Sequence, residues 1–405
     1  MAPKLMLEGI KVLDFTHVLA GPTSTRLMAE LGAEVIKVEP LAGDMVRGMV
    51  AMKNGRSGYY IQQNRGKNSI SLDLRSPKAT KIIHGLIPKM DVVVENFTPG
   101  AMKRLGLDWP VLSKINPNLI MCSISAFGQT GPLSPLPGFD YIAQAYAGVI
   151  DMIGEPDGPP YFAGLGIGDV ATGAHAFGAI SAALFHRLRG GRGQYLDITL
   201  LDSLFHCHEI NVQGYDGTDG AFVPKRAGQH HGAVAPLGLF KGKTHWIVII
   251  ALTPPQWEGL CKAMSREDLV RDPRFSNPAK RLQNKQELID IIEGWLASTS
   301  SDDEALRLIE KHHVPVAPIL SVPEAMSHPH LIERKTVRTV TDRVFGPVKV
   351  PGMPLRFSDF PETLDLQAEA IGESNVRVLR EYLDMSDDEI AALQKEGVLS
   401  SELRG

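Results

Sequence analysis

The chain has 405 residues, of which 43% are hydrophobic and 22% charged, with a formal net charge of −4. That length predicts two or three lobes rather than one simple core, and Lys and Arg spread along a near-neutral chain offer nucleic acid or an anionic membrane no continuous surface. Apolar runs such as WIVIIAL are too short to span a bilayer, the opening MAPKLMLEGIKVLDF enters a strand pattern at once, and Cys122, Cys207 and Cys261 lie far apart, so a cytoplasmic protein with free thiols is expected.

Residues 10–15 (IKVLDF) read as a strand, TSTRLMAELG as a short amphipathic helix with Pro22 near its first turn and Gly32 as its stop, and 35–39 (VIKVE) as a second strand. This βαβ unit implies parallel strands. No GxGxxG occupies its first turn, which argues against an NAD site. Strands are predicted again over 69–74, 91–95 and 119–124, with helices over 77–89 and from Ala101; the apolar centre of DVVVE is that of a strand buried on both faces. Such alternation predicts a mostly parallel α/β sheet.

Residues 140–153 read as a helix capped by Asp140. GLGIGDVATG (164–173) then turns into a long apolar helix reaching Leu188, with Asp169 at its mouth. An acid there accepts backbone N–H groups and is held ionised by the helix dipole. It is then either an ordinary N-cap or a carboxylate ready to act as nucleophile or base. Residues 194–200 predict a strand and 201–211 a helix. The glycine-rich 214–236, with its pair His230-His231, marks a boundary. Beyond it, a hairpin over 239–252 turning at Lys241-Gly242-Lys243 and helices over 254–264, 285–298 and 301–312 predict a smaller α+β region. Two strands flanking Gly346-Pro347 and helices over 375–382 and 387–396 complete the pattern.

HEIN, HH and HPH fit neither HExxH nor a Cys/His finger, and neither a GxSxG elbow nor a P-loop is present. Polar residues gather instead at predicted strand ends: His17, Asn64 to Lys67, Arg75, Asn96, Arg104 and Asp140, then Asp169. Loops beyond the carboxyl ends of parallel strands line the ligand crevice, and this set suits a phosphate-bearing ligand with a reacting carbonyl. Taken singly, each such residue is more often a surface charge, a cap or a turn residue.

The runs VLDFTHVLAGP, LGAEVIKVEP, GDMVRG, NRGKNSISLDL, VVENFTPGAMKRLG, INPNLI, SISAFGQTGP, GFDYIAQA, IGDVATG and GRGQYLDITLLD follow one another along the chain. In that order they resemble the class III coenzyme A transferases, the family of formyl-CoA transferase, carnitine-CoA transferase and α-methylacyl-CoA racemase. The likeness continues through GLFKGKTHWIVI, VPVAPILSVPEAMSHP and VPGMPLRFSDFPE.

The resemblance implies transfer of CoA from an acyl-CoA donor to a free carboxylic acid, with Asp169 as nucleophile, through an acyl-aspartyl anhydride and an aspartyl-CoA thioester. CoA is then a substrate, and neither a metal nor a tightly bound cofactor is expected. His17 and Val18 match a loop whose backbone lies near the thioester, and Asp140 matches an acidic position near the nucleophile. Arg75, Asn96, Phe97 and Arg104 fall where the family holds the CoA nucleotide and pantetheine, and arginine beside phosphate is physically apt. The implied fold is a Rossmann-like large domain from 1–215 with 329–405, a small α+β domain at 225–328, and an interlocked homodimer. Two departures bear on activity. Phe139 stands where the racemase branch has a proton-transferring histidine, which disfavours the alternative reading as a 2-methylacyl-CoA racemase. The stretch 228–236 lacks the glycine run of formyl-CoA transferases, so a larger dicarboxylate or a branched acid is expected at least as much as oxalate.

Overall fold

Six short strands rich in Val and Ile pair side by side, every pairing parallel: β1 (Lys11–Asp14), β2 (Glu34–Glu39), β3 (Lys67–Ser71), β4 (Val92–Glu95), β5 (Ile120–Ser125) and β6 (Tyr195–Thr199). Their order across the sheet is β3-β2-β1-β4-β5-β6, the doubly wound order in which the chain reverses direction between β1 and β4. The computed structural model describes residues 5–360 and 364–401. The first four residues of the opening run and the closing Pro361-Glu362 of VPGMPLRFSDFPE lie outside the described residues.

Side-chain alternation along the strands makes the sheet two-faced. Val12, Val35, Val92 and Val94 join one core with the helices α1 (Ala20–Glu30), α3 (Asp140–Tyr146), α4 (Ile167–Leu188) and α5 (Leu200–Phe205). Their neighbours Leu13, Ile36, Val93 and Met121 join the opposite core with α2 (Pro77–Leu86) and two C-terminal helices, α6 (Asn375–Leu383) and α7 (Asp387–Lys395). All eleven residues of α1 are buried. Its tightest approach to α4 is at Gly173, where an added Cβ would meet the Ala20 carbonyl oxygen at 2.6 Å and Thr23 Cβ at 2.7 Å. Gly173→Val therefore forces the two helices apart; a stability loss of about 1–3 kcal/mol is expected for such overpacking, read as a lowered urea midpoint.

The chain divides into two compact units, one of Met1–Val149, Ala163–Glu209 and Ile332–Gly405, the other of Ile150–Phe162 and Ile210–Leu331. The first contains the sheet and also an antiparallel hairpin, Val337–Asp342 with Gly346–Pro351. Its turn lies over residues 343–345, where the Asp342 carboxylate accepts the N–H groups of Val344 and Phe345. Gly346, expected in the turn, opens the second strand. The second unit holds the strands Leu237–Lys241, Trp246–Ile250 and Val316–Pro318, all antiparallel, packed with helices around Phe240, Ile249, Trp257 and Phe275. Asp302 fixes its hairpin turn by accepting the N–H groups of Lys243, Thr244 and His245.

Two predicted helices are shorter than their apolar patterns suggest. The one beginning at Asp140 stops at Tyr146, because Gly148 adopts φ +76° and closes it; the one expected over 201–211 ends at Phe205. No helix among the described residues is long and apolar enough to cross a membrane.

Candidate active site

The crevice of a doubly wound sheet lies outside the carboxyl ends of its strands, at the point where the strand order reverses. Here that point is flanked by His17, Val18 and Leu19 after β1 and by Asn96 and Phe97 after β4. A single side chain ties the two loops: Asn96 Oδ1 accepts the His17 N–H at 2.8 Å, and Asn96 Nδ2 donates to the His17 carbonyl at 2.8 Å. The Phe97 ring stacks on the His17 imidazole at 5.3 Å. Val18 adopts φ +66°, a left-handed conformation that costs a β-branched residue about 1–3 kcal/mol. The Asn96 clamp on one side and packing of Val18 against the cluster of Val46, Tyr60 and Ile61 on the other hold it there. Burial, reinforced by the Lys37 charge, lowers the His17 pKa, so its imidazole is neutral at pH 7.

A buried charge network supports this loop from below. Lys67 pairs with Asp14 at 3.0 Å, Lys37 with Asp44 at 3.0 Å, and Arg47 with Glu39 at 2.6 Å, so three cations balance three carboxylates. Lys37 also donates to the Thr16 carbonyl at 2.6 Å, which fixes the residue before His17. Pairs of this kind hold geometry more than they add stability. They also correct the reading of Asn64 to Lys67 as ligand-facing: Asn64, Arg65 and Lys67 are buried, Lys67 within this network and Arg65 against Glu30.

Asp169 is the third residue of α4, whose N-cap Gly166 makes no side-chain cap. The nucleophile candidate is therefore not itself the cap. The capping role falls to Asp140, which opens α3 and whose Oδ2 accepts the Asp169 N–H at 2.7 Å. Its Oδ1 accepts the amide of Gln144, which is fully buried. The glycines of IGDVATG make room for these neighbours: a Cβ on Gly168 would sit 3.0 Å from Asp140 Oδ2 and 2.8 Å from Leu204, and one on Gly166 would sit 2.8 Å from Leu19. The helix dipole alone would keep Asp169 ionised at low pH. Burial outweighs it, and with the nearby Asp140 charge the Asp169 carboxyl is pushed up to about 7. Tyr59 faces the same charge, its phenol pushed up to about 12 by burial and then by Asp169 and Asp44.

A titratable carboxyl set between an acidic neighbour and a strained strand-end loop is suited to nucleophilic chemistry. The model of "CoA-transferase family III" matches residues 7–375. The chain belongs to CoA-transferase family III. It is 35% identical over 395 residues to succinyl-CoA:glutarate CoA-transferase of Homo sapiens, covering 97% of this chain and 90% of that protein. To formyl-CoA:oxalate CoA-transferase of Streptomyces coelicolor it is 33% identical over 408 residues, covering 97% and 99%. A CAIB/BAIF family protein from Brucella suis, known from a crystal structure, superposes with a TM-score of 0.82 at 31% identity, covering 93% of this chain and 99% of that one.

In this family III CoA-transferase the residues singled out from sequence fall into four places. His17, Val18, Asn96 and Phe97 form the clamped switch-point loops, and Asp140 with Asp169 forms the carboxylate pair. Leu19, packed against the Gly166 position, joins the two. Arg75 sits apart on an exposed turn, paired with Asp73 at 2.9 Å. Arg104 ends the short helix Ala101–Arg104, near Gly100. Tyr59 and Gln144 were not singled out from sequence. Nothing in YYIQQN marks Tyr59 as facing a carboxylate on another element, whereas the i, i+4 spacing of Asp140 and Gln144 in DYIAQAY is a signal that could have found the second.

Proposed function

We propose that this chain moves CoA from an acyl-CoA donor to a free carboxylic acid through covalent intermediates on Asp169. The carrying observation is the Asp169 carboxyl at the mouth of α4, whose N–H is held by Asp140 and which burial and that neighbour make unusually basic. The Asp169 carboxylate attacks the donor thioester carbonyl, the C–S bond breaks, and CoA leaves as thiolate from an acyl-aspartyl anhydride. The thiolate then attacks the aspartyl carbonyl, releasing the donor acid and leaving an aspartyl-CoA thioester. The acceptor carboxylate displaces the thiolate to form a second anhydride, and the thiolate takes the new acyl group, freeing Asp169. Each step exchanges one activated acyl group for another with no change of oxidation state.

In this reading Val18 and His17 present backbone to the thioester, Asp140 positions Asp169, Asn96 and Phe97 contact pantetheine, and Arg75 and Arg104 meet the phosphates. Large apolar side chains exposed on α3, α4 and α5 or just before α3, including Phe139, Tyr146, Val170, Phe185, Leu188 and Phe205, support a homodimer in which a second copy covers them. We extend this to an interlocked, cytoplasmic dimer with a large domain of 1–215 and 329–405 and a small domain of 225–328.

The test is mass spectrometry of acyl-CoA products, with succinyl-CoA and formyl-CoA as first donors and glutarate, oxalate, succinate, itaconate and carnitine as acceptors. The relatives' names place the first two acids at the head of that panel. The reading also expects acid-quenched enzyme to carry a covalent adduct on the peptide containing Asp169. The racemase alternative is separated by solvent deuterium: with Phe139 exposed and unable to move a proton, a 2-methylacyl-CoA should take up none. Rapid exchange without an acceptor acid would instead show racemisation.

A further inference from the structure

Gln144 is fully buried on α3, one turn after Asp140. Its Nε2 donates to Asp140 Oδ1, and Asp140 Oδ2 accepts the Asp169 N–H at 2.7 Å. Its own carbonyl oxygen, Oε1, is buried with no hydrogen-bond partner among the described residues. An orphaned buried acceptor requires a reason. Turning the amide over would aim Oε1 at Oδ1, two acceptors face to face, unless Asp140 carried a proton. The orientation present pairs the Gln144 donor with a carboxylate oxygen and leaves Oε1 as the group without one.

We propose that Gln144 is a positioning residue for the transfer reaction: its amide fixes the Asp140 carboxylate and aims it at α4, so that this carboxylate stands beside the nucleophile Asp169. This inference rests on Asp169 being the nucleophile. The other charged and titratable groups near α4 do not offset that charge. On α1, Glu30 holds both Arg26 and Arg65, and neither arginine is among the charges that move Asp169; α5 contributes Asp202 and β6 contributes Asp197. Tyr59 and the neutral His17 lie on the crevice side, with Asp44 behind them. On α4 itself Arg187 is held by Asp91, far along the helix, and His175 packs against His206. A like charge makes the Asp169 carboxylate more basic. The repulsion vanishes when Asp169 becomes a neutral anhydride or thioester, so it favours acylation. Burial and the Asp140 charge together put Asp169 at about 7.

The test is the acidic limb of kcat/KM for the acyl-CoA against pH, which reports groups of the free enzyme. Wild type should lose activity below about 7. Asp140→Asn keeps an acceptor for the Asp169 N–H while removing the charge, and its amide can donate to a rotated Gln144 Oε1. Its limb should move down by about one pH unit or more. Gln144→Leu, and Gln144→Met as a second variant of similar length, remove the donor and should move the limb in the same direction. Asp140→Asn combined with Gln144→Leu should move it no further than Asp140→Asn alone. A limb unmoved in the folded Gln144 variants overturns the proposal, because a residue that only fills space alters stability and leaves the limb in place. A limb unmoved in Asp140→Asn overturns it as well. Full turnover by Asp169→Ala would instead remove the nucleophile assignment on which the inference stands, and the two failures are read from different variants.

Discussion

Asp169→Ala is expected to lose CoA transfer by at least about 10⁴-fold, the scale on which removal of a covalent nucleophile is felt. CoA binding should stay within a few-fold, because the switch-point loops carrying His17, Val18, Asn96 and Phe97 are held by the Asn96 clamp and the Lys37 network rather than by Asp169. Turnover with donor and acceptor at saturation, paired with calorimetric titration of CoA, reads both quantities on one preparation. The same variant should yield no adduct on its active-site peptide. Near-full turnover with the alanine in place would exclude the anhydride route altogether.

Asp169→Asn is expected to fold more tightly than wild type at pH 8. Burial and the Asp140 charge raise the Asp169 pKa from 3.8 to about 7, so the native state binds this proton more strongly than the unfolded chain does. Stability from that difference is fully present below the unfolded value and is lost as pH rises through the native one. By pH 8 wild type carries the whole cost of the buried anion, on the order of 2–4 kcal/mol after allowing for partial exposure. The amide carries none. Urea unfolding of both proteins from pH 4 to 8 should show curves that coincide at the acid end and separate as pH climbs towards 7. A gap independent of pH would mean that the substitution acts through packing instead of charge.

Much of this architecture is legible from local pattern. IKVLDF and VIKVE separated by a helix with Pro22 and Gly32 fix a parallel pair, and DVVVE announces a strand covered on both sides. The motif around Asp169 marks its carboxyl, although not its protonation, which depends on burial and then on Asp140 29 residues away. What escapes the sequence is set by long-range contact. The Asn96 clamp joins positions 79 apart, and Asp14 and Lys37 sit inside strands whose neighbours suggest simple alternation. The same holds for the basic turn Asn64 to Lys67: its three polar side chains look like a ligand cradle until Asp14 and Glu30 are seen to occupy Lys67 and Arg65. Helix ends fail for a smaller reason, since one left-handed glycine at 148 outweighs an apolar run that continues past it.

The C-terminal helices α6 and α7 close one face of a sheet whose last strand ends at Thr199. During synthesis on the ribosome, the 176 positions from there to Asn375 take roughly 10–35 s at about 5–20 residues per second. For that interval Ile70, Leu72 and Ile83 have no tail to cover them, and a growing chain meets its neighbours on the polysome with an oily flank bare. A stop codon before Asn375 makes the exposure permanent. Residues 375–399, on the sheet face opposite the one that α4 covers, thus bear on whether newly made protein reaches its folded form or is taken by chaperones and proteases.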